Sequence, residues 1–407
     1  MREIRQELLD ELLGDYESPE DLTGPDGLLK QLFGRLIETA AGAELADHLG
    51  YDKGDPSGRG SGNSFNGTTP KTLKTDHGEV RVDMPRDRNS TFEPKIVEKG
   101  QTHWDGFDDK IISMYAGGMS VEEIRGHLAE IYGITVSKDF ISTVTDKILD
   151  DVRAWQSRPI DECYLVLWID ALVVKVRVDG VVRNRPAYLV LGLNMDGKKE
   201  ALSLVIGAGD ESAKFWLKVL NDLRNRGLRQ VCVVCCDGLT ALPEAVESVF
   251  AEAWVQCCVV HLIRNSLKHV AYKDQKQIVR DLRPIYQAAT EEAALVALGI
   301  FEDIWSGRYP MIGEMWRRHW ERFIPFFAFP AEIRRIVYTT NSIEAVNRQL
   351  RKIIKTRGHF PTEDAVVKLL WLALRNAEKK WTYPIRDWPR ALHQFAIYFP
   401  GRVPVAI

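Results

Sequence analysis

The chain has 407 residues, 45% hydrophobic and 27% charged, which excludes a disordered, collagenous or coiled-coil protein and leaves room for two or three domains. Its net charge of -3 argues against a uniformly basic nucleic-acid binder. That average hides an asymmetry: residues 1–60 hold 6 Lys+Arg against 14 Asp+Glu, whereas residues 317–407 hold 17 against 7, a net of +10 compatible with local polyanion binding.

In chain order, 1–14 and 28–49 read as helices, and the first is too charged and amphipathic for an export signal. The Gly/Ser/Asn-rich stretch 54–68 reads as a loop. A hairpin follows, KTLKT against EVRVDM, turning at Asp76–Gly78. This region carries Lys71, Lys74, Arg86 and Arg88 as candidate DNA contacts. Residues 111–155 read as three helices. Ser120 and Glu123 form a capping box before VEEIRGHLAEIYG, Gly133 ends that helix, and Ser137 caps KDFISTVTDKILDDVRAW. Helix, Gly-containing turn, helix is the helix-turn-helix pattern, and equally that of an αα-hairpin that never touches DNA.

From residue 163 the chain turns β-rich. CYLVLWIDALVVKVRV, RPAYLVLGLNM and EALSLVIGAG, with turns at Asp179–Gly180 and Asp196–Gly197, predict a three-stranded antiparallel meander. A helix (SAKFWLKVLNDLRNRG), a strand (QVCVVCCD), a helix (PEAVESVF) and a strand (WVQCCVV) follow, the element order of an RNase H-like core. Residues 262–337 read as mostly helical. Helices are then expected from 341 to about 356, near 362–378 and at 386–398. No apolar run approaches the ~18 residues of a membrane span.

Three acids stand out. Asp170 lies mid-strand among Val166, Leu167, Trp168, Val173 and Val174, where a carboxylate is costly unless it is paired or holds a cation. Lys175 or Arg177 could pair with it. Asp237 follows the fourth strand, at the kind of sheet edge where ligands bind, although an ordinary Asp-Gly turn fits as well. Glu344 lies on a helix with Asn341, Arg348, Arg351 and Lys355 along one polar stripe, against an apolar stripe of Ile343, Val346, Leu350 and Ile353. A solvated helix face with Glu344–Arg348 pairing is the plainer reading. Taken together, three carboxylates suit two Mg²⁺ ions about 4 Å apart acting on a phosphodiester. Arg348, Arg351 and Lys355 would then contact flanking phosphates.

Cys232-Val-Val-Cys235 and Cys258-Val-Val-His261 have zinc-ligand spacing. Both lie in apolar runs taken as β, so packed thiols are expected instead. Six cysteines without an export signal predict reduced thiols in the cytoplasm. No phosphate-binding glycine loop and no G-x-S-x-G elbow is present.

The segments SGNSFNGTTPKTLKTDHGEVRVDMPRDRNSTFEP, LWIDALVVKVR, CCDGLTALPEAV, CCVVHLIRNSLKHVAYKD and YTTNSIEAVNRQLRKIIKTRGHFPTEDA resemble bacterial insertion-sequence transposases of the mutator type. The likeness runs through nearly the whole chain. It implies an α/β fold: an RNase H-like catalytic core with a mixed sheet, interrupted by an α-helical insertion. An N-terminal, mainly helical DNA-binding region containing the helix-turn-helix would precede it. The expected segments are 1–57 (helical), 58–110 (Gly-rich loop and β-hairpin), 111–157 (helix-turn-helix), 158–266 (first part of the core), 267–337 (insertion) and 338–407 (second part of the core).

The resemblance further implies a DDE triad of Asp170, Asp237 and Glu344. It implies two Mg²⁺ ions, with Mn²⁺ as a substitute, and Cys258 and His261 as a C-x2-H signature of underived role. The expected partners are terminal inverted repeats, target DNA and a second copy of the chain or more. The expected place is the bacterial cytoplasm, on the nucleoid when DNA-bound, with no membrane partner. Phe65 and Gly117 stand where the family carries basic residues, which would weaken DNA contacts. An RNase H-like nuclease without strand transfer and a non-enzymatic helix-turn-helix regulator are the alternatives.

Overall fold

The computed structural model describes residues 6–403 except 15, 25, 76–77, 105, 133, 210–211, 237–240 and 339–340, with backbone alone at 8, 338, 341–342 and 344. The chain forms two compact units, Met1–Asp146 and Lys147–Ile407.

In the first unit, strands β1 (Phe65–Thr75) and β2 (Gly78–Asp87) pair antiparallel. They are longer than the hairpin expected from sequence. The Gly- and Asn-rich composition of 65–68 hid the start of β1, where the register shifts between Phe65 and Thr68. Alternate β2 residues Val80, Val82 and Met84 bury against Ile37 and Ala41 of helix Leu28–Leu49. Asp87 closes the hairpin. It accepts hydrogen bonds from Asn63 Nδ2 (2.7 Å), Thr91 Oγ1 (2.7 Å), Thr91 N (3.0 Å) and Phe92 N (3.2 Å). Burial pushes its carboxyl up, but these four donors outweigh it and hold the group well below the ordinary carboxylate range.

Helices Phe107–Ala116, Val121–Tyr132 and Lys138–Asp146 follow. The expected caps form: Ser120 N donates to Glu123 Oε2 (2.7 Å), Glu123 N to Ser120 Oγ (3.2 Å), and Phe140 N to Ser137 Oγ (3.0 Å). Gly133 lies outside the described residues. The long helix expected after Ser137 is instead two, Lys138–Asp146 and Ile148–Ser157, and the boundary between units falls between Asp146 and Lys147. The segment 111–157 is therefore not one body. Its apolar stripe (Ile141, Val144, Ile148, Val152, Trp155) is buried throughout, so periodicity alone gives no sign of the change of core.

The second unit is built on a five-stranded sheet ordered β5-β4-β3-β6-β7: β3 (Cys163–Val178), β4 (Val181–Asn194), β5 (Lys199–Ile206), β6 (Gln230–Cys236) and β7 (Trp254–Cys257). The meander pairs antiparallel, and β6 and β7 add in parallel to β3. The β3–β4 turn needs positive φ at both Asp179 (51°) and Gly180 (79°), which Asp and Gly tolerate. Helices Ala213–Asn225 and Ala241–Val249 supply Trp216, Leu220, Leu242 and Val246 to a core with Tyr164, Leu167 and Ile169 of β3. Helices Tyr272–Gln287, Glu291–Trp305, Pro310–Arg318 and Ala331–Tyr338 fill most of the interval before helix Asn341–Arg357. Helices Glu363–Glu378 and Trp388–Tyr398 follow.

The last expected strand is shorter than its apolar run. WVQCCVV is β only to Cys257, and Cys258 caps helix Val259–Ser266. The C-x2-H pair therefore opens a helix instead of lying in a β run. An unbroken apolar stretch cannot tell a buried strand from a buried helix start.

Candidate active site

β3 is the central strand, which is why Asp170 is only 2% exposed. Register sets its neighbours: Ile169 pairs with Cys236, the last residue of β6, and Cys236 pairs with Cys257, the last of β7. Cys258 N donates to Cys236 O (2.9 Å), so helix Val259–Ser266 starts at the edge where both strands stop. A second helix comes in from the far end of the insertion. In Asn341–Arg357, Ile343, Val346 and Leu350 are buried while Arg348, Arg351 and Lys355 are exposed, as the stripes predicted. Gly358 (φ 63°) ends the helix, and Phe360 then pairs with the outer part of β3: Phe360 N donates to Lys175 O (2.8 Å) and Arg177 N to Phe360 O (2.9 Å).

These elements converge on Asp170. Its Oδ1 accepts from Ala171 N (2.8 Å), and its Oδ2 accepts from Asn347 Nδ2. His261 Nε2 lies 3.5 Å from Asp170 Oδ1 and 3.0 Å from Arg264 Nη1. A guanidinium can only donate, so Nε2 accepts from Arg264, and its approach to Asp170 is polar packing, not a hydrogen bond. Neither Lys175 nor Arg177 makes the pairing considered from sequence. Asn347 Oδ1 and His261 Nδ1 are buried without a hydrogen-bond partner among the described residues.

Asp237 lies outside the described residues. Glu344 stands on the helix, three residues before Asn347, and its side chain is likewise outside them. Asn347 was missed from sequence, although a signal existed: it is a polar residue inside the stripe of Ile343, Val346 and Leu350, and it is 0% exposed. His261 was noted only as part of a spacing motif. Its helical setting brings it to Asp170.

The other candidates divide. Arg86 and Arg88 are exposed, and Arg86 Nε donates to Asn66 O (2.8 Å). Lys71 Nζ donates to Glu98 O (2.7 Å), with burial pulling its ammonium down, and Lys74 Nζ sits 5.2 Å over the Phe140 ring. Those two lysines are tied within their own unit. Phe65 packs edge-on to Tyr51, and Gly117 caps helix Phe107–Ala116.

The six cysteines are all buried and free. Burial pushes the Cys232 and Cys258 thiols up to about 12 and Cys235 well above its ordinary value. Protonated, desolvated thiols fit packing better than zinc binding. Among the described residues no group of three or more His, Cys, Asp and Glu is arranged around a metal.

The profile of the Mutator family of transposases matches residues 4–384. The chain is 48% identical over 400 residues to the transposase for insertion sequence element ISRM3 of Rhizobium meliloti (strain 1021), covering 98% of this chain and 99% of that one. It is 44% identical over 339 residues to a probable transposase for an insertion sequence element of Corynebacterium diphtheriae, covering 78% and 98%. A solved structure, the Drosophila P element transposase strand transfer complex, overlaps 76% of this chain and 85% of its own at 12% identity and a TM-score of 0.31, too loose a likeness to bear on the fold. A match across most of the chain, with a relative sharing nearly half its residues end to end, means that the chain belongs to the Mutator family of transposases.

Proposed function

We propose that this transposase cleaves and joins DNA strands with an RNase H-like core in which Asp170, Asp237 and Glu344 form a DDE triad. The observation that carries the reading is the surroundings of Asp170. It is a buried carboxylate on the central strand, beside the ends of β6 and β7, held by Asn347 on the helix that also carries Glu344. Asp237 directly follows Cys236, the residue paired with Ile169. The sheet order, with three antiparallel strands extended by two parallel ones, supports the RNase H-like assignment.

Three carboxylates are hard oxygen donors that suit Mg²⁺ or Mn²⁺ better than zinc. Asn347 Oδ1, beside Asp170, is a buried oxygen with no hydrogen-bond partner among the described residues, which fits an oxygen-rich site of this kind. When bound, two such ions would lower the barrier at the attacking and leaving oxygens of a phosphodiester. In the first step a water oxygen bonds to phosphorus, the P–O3′ bond breaks and the leaving oxygen takes a proton, which frees a 3′-OH. In the second step that 3′-OH attacks another phosphodiester and displaces a 3′ oxygen there. One ester bond replaces another, so the joining step needs no energy source.

The chain's own residues orient the strands. Arg348, Arg351 and Lys355, exposed on successive turns beyond Glu344, would contact phosphates, and Arg86 and Arg88 would add contacts from the N-terminal unit. The capped helices between 107 and 146 would read the terminal inverted repeats. Two ends must be held together, so a homodimer or larger assembly is expected.

The test uses the full chain and a DNA duplex carrying one element end, with Mg²⁺. Asp170→Ala, Asp237→Ala and Glu344→Ala should each abolish end cleavage and strand joining. Full activity in any of the three sinks the triad. Cleavage by the parent chain without joining would make it a nuclease instead.

A further inference from the structure

Asn347 is 0% exposed in a stripe whose other buried members are Ile343, Val346 and Leu350. An amide buried among such side chains is costly unless its polar groups are met by hydrogen bonds. Its Nδ2 is met by Asp170 Oδ2, a partner 177 residues away in sequence. The terminal torsion of an Asp side chain is soft. Here Ala171 N–H holds one carboxylate oxygen and Asn347 the other, so the carboxylate plane is fixed. The chemical type matters too: a lysine or arginine there would neutralise the carboxylate and compete with a cation, whereas an amide orients it and leaves its charge intact. The same bond ties the middle of helix Asn341–Arg357 to the middle of β3, and Phe360 ties its exit to the outer end of that strand.

We infer that Asn347 is a positioning residue: it aims the Asp170 carboxylate and sets the height of the Glu344 helix over β3, so that both acids are delivered to one cation site. This rests on the reading of Asp170 and Glu344 given above.

The experiment compares the full-length parent with Asn347→Leu, which keeps the volume and removes the donor, Asn347→Gln, which keeps the amide on a longer stem, and Asp170→Asn. Mn²⁺ affinity is read from the electron paramagnetic resonance signal of free Mn²⁺, and end cleavage is resolved into kcat and KM for DNA. Asn347→Leu should weaken Mn²⁺ binding about 10–100-fold and lower kcat by a similar factor, with KM for DNA within about twofold of the parent. Asn347→Gln should recover part of both losses. Unchanged Mn²⁺ affinity and kcat in Asn347→Leu, with a lower melting temperature and with Asp170→Asn losing both properties, makes Asn347 a packing residue and overturns the inference alone. Parent-like Mn²⁺ binding and cleavage in Asp170→Asn overturns the site reading itself. Should Asn347→Leu not fold, Asn347→Ser, too short to reach Asp170, carries the same expectations.

Discussion

Replacing Asp170 by Asn should destroy activity while leaving the fold as stable as before, or more so. Taking a carboxylate to 2% exposure carries an effective penalty of several kcal/mol. Hydrogen bonds from Ala171 N and Asn347 Nδ2 offset it by about 1.5–3 kcal/mol each, as bonds to a charged group do. In Asp170→Asn the new amide oxygen can still accept from Ala171. The new NH₂ meets Asn347, whose Oδ1 has no partner among the described residues and can turn to accept. Both bonds then survive as neutral ones, worth about 1 kcal/mol less each, and the charge penalty disappears. The net is about 0–2 kcal/mol of added stability, or about 0–4 °C in the melting temperature of a body of this size. With the proposed triad, cleavage should fall by at least ~10²-fold. Thermal unfolding by circular dichroism in EDTA, alongside the end-cleavage assay, measures both. A melting temperature more than about 5 °C below the parent would show instead that the carboxylate stabilises the sheet.

Three further outcomes are expected. Arg348→Ala, Arg351→Ala and Lys355→Ala should each weaken DNA binding about equally across sequences and reduce the slope of log K against log salt by about 1, as measured by fluorescence anisotropy at several salt concentrations; an unchanged slope removes that residue from the DNA path. Asp87→Asn should destabilise the N-terminal unit at neutral pH. Because the Asp87 carboxyl is depressed from its ordinary 3.8, its contribution is fully present above that value and is lost as pH falls, so the gap between parent and variant should close in melts taken progressively below pH 4. A gap that stays constant with pH would assign the effect to packing. All six cysteines should be inert to a thiol reagent in the native chain and should all react in denaturant; fast native labelling of Cys258 would contradict its buried, protonated state.

Several features were legible because they depend on local rules. The caps at Ser120 and Ser137, the turn at Asp179–Gly180 and the two stripes of the 341–357 helix follow from hydrogen-bonding chemistry, positive φ and a 3.6-residue period. Asp170 was legible as an anomaly, a carboxylate in an apolar strand. What escaped was non-local. Asn347 reads as one more polar residue on a basic helix until its partner on β3 is known. Cys258 and His261 read as a strand motif until the end of β7 shows that a helix starts there. The stripe from Ile141 to Trp155 is continuous in sequence and divided between two cores in space.

Sequence alone therefore determined most of the element order, the capping, the uneven charge and the family likeness, since each is written in neighbours a few residues apart or in long matching segments. Tertiary structure decided which polar groups meet. Parallel pairing of β6 with β3 brings Cys236 beside Ile169, and the returning helix brings Asn347 to Asp170 across 177 residues. Such contacts depend on strand register and helix docking, which burial of the whole core sets and no local pattern encodes.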